Sequence, residues 1–355
     1  MLIEAGADSE VRARTGAEGG WTPLRCAVAG AANAEIAELL LEHGAVPDDH
    51  DLYLAGFADD DHRCLELLLA HAANVREIAR MALSAPISGN DVTGVRLLLE
   101  AGADPRRYLS DEDDPEQTSV LRGAVRSGCS AELVELLLVH GADPDLPGSD
   151  GRSPYALAVS LGRGDLAAML LRYGAQDNAS GSDRFLQACL LADSAAAARQ
   201  LEREPYLLDR LGEPEQAVAL IQAADVGNVA AVRLMLELGF VIDARDAADG
   251  STALHAAAYA GSADVIRLLI ERGADLTALD TRWGSAPVVW AVVGSGAQPG
   301  SNRAADWLAS IRMLIEAGAD VRDITLSPDD SKQPSSAVAE LLIAHGANAG
   351  APAAS

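Results

Sequence analysis

Few residues in this chain are equipped for chemistry. Its 355 residues include seven histidines and four cysteines. Cys26, Cys64, Cys129 and Cys189 stand far apart with no paired spacing. That suits free thiols in a reducing compartment and small apolar roles, not a metal knuckle or a disulfide frame. Acids gather at Asp48-Asp49-His50-Asp51, Asp59-Asp60-Asp61-His62 and Asp111-Glu112-Asp113-Asp114-Pro115-Glu116. Several oxygens in a row could surround a cation, but the ligand alternation of a calcium loop is missing, so solvated acidic loops are expected. The run at 111–116 could also serve as a patch for a basic partner. The glycine-rich Gly294-Ser295-Gly296-Ala297-Gln298-Pro299-Gly300 lacks the Lys and Ser/Thr of a phosphate loop, and it reads as part of an inserted surface loop over 294–305. His255 follows Thr252, not a nucleophile elbow, and no orienting acid stands at a known spacing. With no triad, paired carboxylate or metal motif in sight, neither an enzyme nor a cofactor is expected.

Composition narrows the partners. The formal net charge of −26 is opposite in sign to a grip on phosphates or on anionic lipid surfaces. Nucleic acid and membrane are therefore set aside, leaving two readings open: steering of a basic protein partner, or acidic faces that serve solubility alone. Glu4 follows Met1-Leu2-Ile3 at once, without the basic start and apolar run of a signal peptide. The uncharged stretch in 284–302 is broken by Pro287 and Pro299, so it does not read as a membrane span. A cytoplasmic monomer is the expectation. Hydrophobic residues make up 49% of the chain and aromatics only 4%, which points to helices packed through small side chains.

The elements that must position these residues recur with a period. A run of aliphatics, two variable residues and Gly-Ala-Asp appears as Leu97-Leu98-Leu99-Glu100-Ala101-Gly102-Ala103-Asp104 and as Leu136-Leu137-Leu138-Val139-His140-Gly141-Ala142-Asp143. It returns at Gly174-Ala175, Gly239-Phe240, Gly273-Ala274-Asp275, Gly318-Ala319-Asp320 and Gly346-Ala347-Asn348. Gly141 and Gly174 are 33 residues apart, and Gly239 and Gly273 are 34 apart. The aliphatic run predicts a buried helix face, and the Gly a left-handed C-terminal cap. His43, His71, His140 and His345 fall in the last turns of such helices, where partial positive charge meets the negative end of the dipole. The Asp or Asn after Gly-Ala starts the exit turn.

The other half of the unit reads Gly250-Ser251-Thr252-Ala253-Leu254-His255-Ala256-Ala257, with companions Gly20-Trp21-Thr22-Pro23-Leu24-Arg25-Cys26-Ala27 and Gly151-Arg152-Ser153-Pro154-Tyr155-Ala156. Thr or Ser is the expected N-cap, and Pro in two copies takes the first helical position. Together the two halves resemble the ankyrin repeat, Thr-Pro-Leu-His-x-Ala-Ala followed by Leu-Leu-x-x-Gly-Ala-Asp. The resemblance covers nearly the whole chain and is most specific over 249–276. The Thr-Pro-Leu-His half is missing near 48–74 and 75–104.

The resemblance implies an all-α ankyrin-repeat solenoid of about ten helix–turn–helix units with short β-hairpin fingers. Units are read at 9–47, 48–74, 75–104, 110–144, 148–177, 183–213, 214–243, 247–276, 280–321 and 323–350. The segment 1–8 reads as the tail of a second helix, so the array begins in mid-unit. Unit 183–213 runs through Glu204-Pro205-Tyr206-Leu207-Leu208-Asp209 in place of Gly-Ala-Asp. With 178–182 before it, it marks the expected bend between sub-arrays 1–178 and 179–350. Pro334 is expected to start the last helix, and 351–355 a disordered tail.

The resemblance also implies a function, since ankyrin folds bind partner proteins through fingers and first helices on a concave face. It assigns His255 a structural role, bonding the turn threonine and a neighbouring backbone. Carried across, the finger contacts are Trp21, Arg152, Ser251 and Trp283, and the exposed ends of first helices offer Arg126, Ser160, Asp225 and Tyr259. Trp21 and Trp283 either anchor a partner or cover their own fingers. Trp290 and Trp307 are expected to pack inward. The leading expectation is a scaffold or regulator, and the alternative is a small-molecule site or enzyme near 247–310.

Overall fold

The computed structural model describes residues 21–30, 33–58, 61–73, 75, 82–106, 119–297, 306–326 and 334–349. The expectations for 1–8, Asp59, Asp60, 111–116, most of the 294–305 insertion and the 351–355 tail lie outside them. The chain divides into two compact units, 1–183 and 184–355.

Among its described residues the first unit contains five helix pairs. They are α1 (Pro23–Gly30) with α2 (Ala34–Glu42), α3 (Asp49–Ala58) with α4 (Arg63–His71), and α5 (Ser84–Ser88) with α6 (Val92–Glu100). Two more follow, α7 (Val120–Arg126) with α8 (Ala131–Val139) and α9 (Pro154–Ser160) with α10 (Gly164–Arg172). Each first helix packs on the next first helix and each second helix on the next second helix. Their inward faces share one core, to which Leu24, Leu52, Leu98, Leu133 and Leu166 contribute.

Helix α11 (Gly181–Leu190) carries the chain into the second unit. There stand α12 (Ser194–Arg203), the one-turn α13 (Leu207–Arg210), α14 (Glu213–Asp225), α15 (Val229–Glu237), α16 (Ala253–Tyr259) and α17 (Ala263–Glu271). The last elements are α18 (Pro287–Ala297), α19 (Trp307–Glu316), β1 (Thr325–Leu326), α20 (Ser336–Ala344) and β2 (Asn348–Ala349). Helices α14, α16 and α18 stack as first helices, α15, α17 and α19 as second helices, and α20 lies on α19. The irregular 204–209 segment is the turn into α13, with Leu207 buried and Tyr206 exposed.

Local chemistry explains the elements. Ser119, Ser130, Ser153, Asp91, Asp193 and Asn228 each cap a helix by accepting a backbone N–H three residues on. At the other end, Gly141, Gly174, Gly239, Gly273 and Gly318 have φ between +85° and +110°, the left-handed turn the signature predicts. His43, His71, His140 and His345 each donate Nδ1–H to the carbonyl four residues back, at 2.8–2.9 Å, adding a side-chain donor to the last turn. Asp104, Asp143, Asp275 and Asp320 accept the N–H two residues on and so open the exit turn.

Four expectations need correction. The fingers close on one or two backbone bonds each and not on paired strands, such as Asp246 N–H to Ser251 O at 2.9 Å and Asp280 N–H to Ser285 O at 3.1 Å. Among the described residues the strand pairing is instead the short parallel β1–β2. The last helix starts at Ser336, one residue after the Ser335 cap, because Ser335 Oγ accepts the Val338 N–H and Pro334 stays outside. Gly294 to Ala297 belong to α18 and not to an inserted loop. A Cβ at Gly294 would stand 2.1 Å from the Tyr259 carbonyl oxygen, so glycine here permits close helix contact, not a loop. Finally, the acids at 48–51 are not simply solvated. Asp48 and Asp51 exchange backbone N–H bonds across the start of α3, and both accept the buried Arg25 guanidinium, Asp51 at 3.0 Å and Asp48 at 2.6 Å.

Candidate protein-interaction surface

In the second unit the site is built outward from helix α16. Ala256, Ala257 and Ala258 keep it slim enough for close approach to α14 and α18. His255 is fully buried. Its Nδ1 accepts the Thr252 N–H at 3.1 Å and meets the Thr252 hydroxyl at 3.0 Å. Nδ1 therefore carries no proton, and Nε2–H donates to the Ser285 carbonyl of the next finger at 3.1 Å. Burial, which outweighs the Ser285 carbonyl and the nearby Asp280 charge, pushes the imidazole pKa down, so the ring stays neutral.

The finger over 280–285 is organised by one carboxylate. Asp280 accepts the backbone N–H groups of Arg282 (2.9 Å), Trp283 (2.6 Å) and Ser285 (3.0 Å), and the indole N–H of Trp290 (3.0 Å). Burial alone would raise its pKa, but these four donors hold it below the ordinary carboxylate value. The Trp290 ring stands edge-on to three others: His255 at 5.3 Å, Trp283 at 5.7 Å and Tyr259 at 6.1 Å between centroids. Trp283 remains 60% exposed, with the Arg282 guanidinium 4.9 Å above its ring. Behind this group, Trp307 donates its indole N–H to the Tyr259 carbonyl at 2.9 Å.

The residues carried across from the family pattern fall in different settings. Tyr259 and Trp283 are brought together through Trp290, which is half-buried and is the hub of the group as well as a packing residue. Asp225 ends α14 at the surface, yet the protein around it raises its pKa, and among the described residues no cation offsets that. Trp21 and Arg126 are exposed in the first unit. Arg152 is half-buried and lies 3.4 Å from the Asp183 carboxylate, so its charge is already partnered. Ser251 is corrected: it is 5% exposed, turned into the finger that its own backbone closes. Ser160 is corrected likewise, since its buried hydroxyl donates to the Leu157 carbonyl inside α9. Sequence reasoning missed Asp280. The available signal was its place ahead of Arg282-Trp283-Gly284, an acid positioned to accept finger N–H groups.

Against known proteins, a family model described as Ankyrin repeats (3 copies) matches residues 185–280, and one described as Ankyrin repeat matches residues 19–52. The chain contains ankyrin repeats. A curated relative, the nuclear factor NF-kappa-B p105 subunit of Gallus gallus, is 32% identical over 167 residues, which is 43% of this chain and 16% of that protein. Ankyrin repeats are a non-catalytic protein-interaction module. Among the described residues no group of three or more His, Cys, Asp or Glu side chains is placed to hold a metal ion. No helix there is long and apolar enough to cross a membrane.

Proposed function

We propose that this chain is a cytoplasmic scaffold or regulator that acts as a monomer. It holds a basic partner protein, neither nucleic acid nor membrane, against the first-helix side of its repeats. Tyr259, Trp283 and Trp290 form the anchor. The observation that carries this reading is Trp283, a large ring left 60% exposed on a backbone that the Asp280 carboxylate fixes, and set edge-on to Trp290. Such a pre-ordered aromatic offers contact area at little entropic cost. The charge of −26, and Asp225 with no cation offsetting it, favour a basic partner. Arg126 and Trp21, both exposed, supply a second contact region in the first unit.

Partners captured at low and high salt would be titrated against wild type and Trp283→Ala, with circular dichroism as the check on folding. Affinity should fall by about 2 kcal/mol or more with helicity unchanged. Unchanged affinity would move the site to the Trp21 end. A metabolite that raises the melting temperature, with no protein retained, would favour the small-molecule alternative.

A further inference from the structure

The carboxylates on the fingers of the second unit are occupied. Asp246 accepts the Ala248 N–H at 2.7 Å, Asp249 the Ser251 N–H at 2.9 Å, and Asp280 the four donors described above. Asp225 is the exception. It ends α14 at the surface, and among the described residues neither a cation nor a hydrogen-bond donor acts on it. The one influence on its pKa is burial, which raises it. Val218, Ile221 and Asp225 recur at i, i+3 and i+7, and Val218 is 41% exposed. One face of α14 thus runs from aliphatic side chains to an unpartnered acid.

The stack sets Asp225 beside the aromatic group. Asp225 and Tyr259 each end a first helix, and each stands two residues before a left-handed glycine, Gly227 at φ +69° and Gly261 at φ +65°. Helix α14 packs on α16, and a Cβ at Gly227 would lie 3.2 Å from the Ser262 Oγ, so the two turns touch. The carboxylate and the Tyr259 ring therefore occupy successive rungs of one row. Packed helices stand about 8–10 Å apart. An arginine side chain bridges such a gap, with its stem on one rung and its guanidinium on the other. Tyr259 and Trp283 cross Trp290 at 78° and 71°, so neither is stacked flat on it, the arrangement that would hide a whole ring face. Arg282, 4.9 Å above the Trp283 ring, shows that a guanidinium already finds a place on this group.

We propose that Asp225 and Tyr259 together receive one arginine side chain of the partner protein, with its stem across the Tyr259 ring and its guanidinium at the Asp225 carboxylate. The inference rests on the basic-partner reading above and names the residue type that the partner presents. Arginine suits this place better than lysine, because a planar guanidinium both stacks on a ring and pairs with two carboxylate oxygens. Its charge also offsets an anion that no described residue offsets.

The probe is Nα-acetyl-arginine methylamide, with the citrulline analogue as a neutral control of nearly the same shape and the lysine analogue as a test of the planar head group. The full chain, carrying 13C-labelled Asp and Tyr, is titrated and followed by NMR. The arginine probe should shift the Asp225 carboxyl and Tyr259 ring signals saturably, with half-saturation at about 1–20 mM. The lysine analogue should bind more weakly and the citrulline analogue not at all. Asp225→Asn should weaken the arginine probe by at least about fivefold, and Tyr259→Ala should do the same. Because Asp225→Asn keeps the size of a surface side chain, circular dichroism should not change. Equal binding of the arginine and citrulline probes, arginine binding that survives Asp225→Asn, or no saturable shift up to about 100 mM would overturn the proposal. The anchor and the arginine contact fail separately. A captured partner weakened by Trp283→Ala but not by Asp225→Asn keeps the anchor and removes the arginine contact. A partner weakened by Asp225→Asn but not by Trp283→Ala does the reverse.

Discussion

The two units fill the same position with different chemistry. Three residues past the N-cap of a first helix, the first unit has Arg25 after Thr22 and Arg122 after Ser119, and the second has His255 after Thr252. All three side chains are buried, and all reach the next repeat: Arg25 to Asp48 and Asp51, Arg122 to Asp150, His255 to the Ser285 carbonyl. The helix start dictates the reach, and the next finger dictates the residue type. Where that finger offers carboxylates, a cation fits; where it offers a carbonyl, a neutral donor suffices. The two solutions differ in cost. A buried ion pair must recover the desolvation of two charges, whereas neutral imidazole gives up only its ordinary hydration.

The largest effect should come from Arg25→Ala, which strands Asp51, whose side chain is only 3% exposed. Loss of one partner of a buried pair costs about 3–5 kcal/mol, read as a lower urea midpoint, with faster amide exchange confined to the neighbourhood of α1 and α3. A loss no larger than that of a surface pair would show the carboxylates to be solvated after all. Arg122→Ala should cost less, about 1.5–3 kcal/mol, because Asp150 is 43% exposed and water can replace the guanidinium.

His255→Ala should cost about 1–3 kcal/mol, with exchange protection lost around α16 and α18 and retained in the first unit. Acid separates the two solutions further. The folded-state pKa of His255 lies below its ordinary value, so the unfolded chain binds the proton first. Its contribution is complete above about pH 6.5 and is lost as pH falls from there through the depressed folded value. The α16 region should therefore weaken across that window, and His255→Ala should flatten the dependence, as measured by exchange at several pH values. A slope that persists in the variant would assign it to another group. Trp283→Ala should leave stability within about 0.5 kcal/mol, since the ring lies mostly outside the packed core. A larger drop in melting temperature would make Trp283 a structural lid over Trp290.

Much of the molecule follows from the chain read locally. The Gly-Ala-Asp period, the Ser and Thr caps, the left-handed glycines and the four histidines that cap helix C-termini all act over two to five residues. Composition and spacing therefore suffice to place them. The partners of Arg25, Arg122 and His255 lie 23–30 residues away, one repeat further on, and only the stack makes them neighbours. The same holds for Trp290. Its sequence neighbours suggest a packing residue, while its ring is set against Tyr259 from one repeat earlier and Trp283 from its own finger. Ser251 and Ser160 fail as contact residues for the converse reason. Helix periodicity assigns a face, but the backbone turn of the finger and the adjoining helices decide how much of that face water reaches. Sequence alone thus determined the repeat and its caps, which local hydrogen bonds enforce. Tertiary structure decided which residues are exposed and which charges meet, because those depend on the distance between successive repeats.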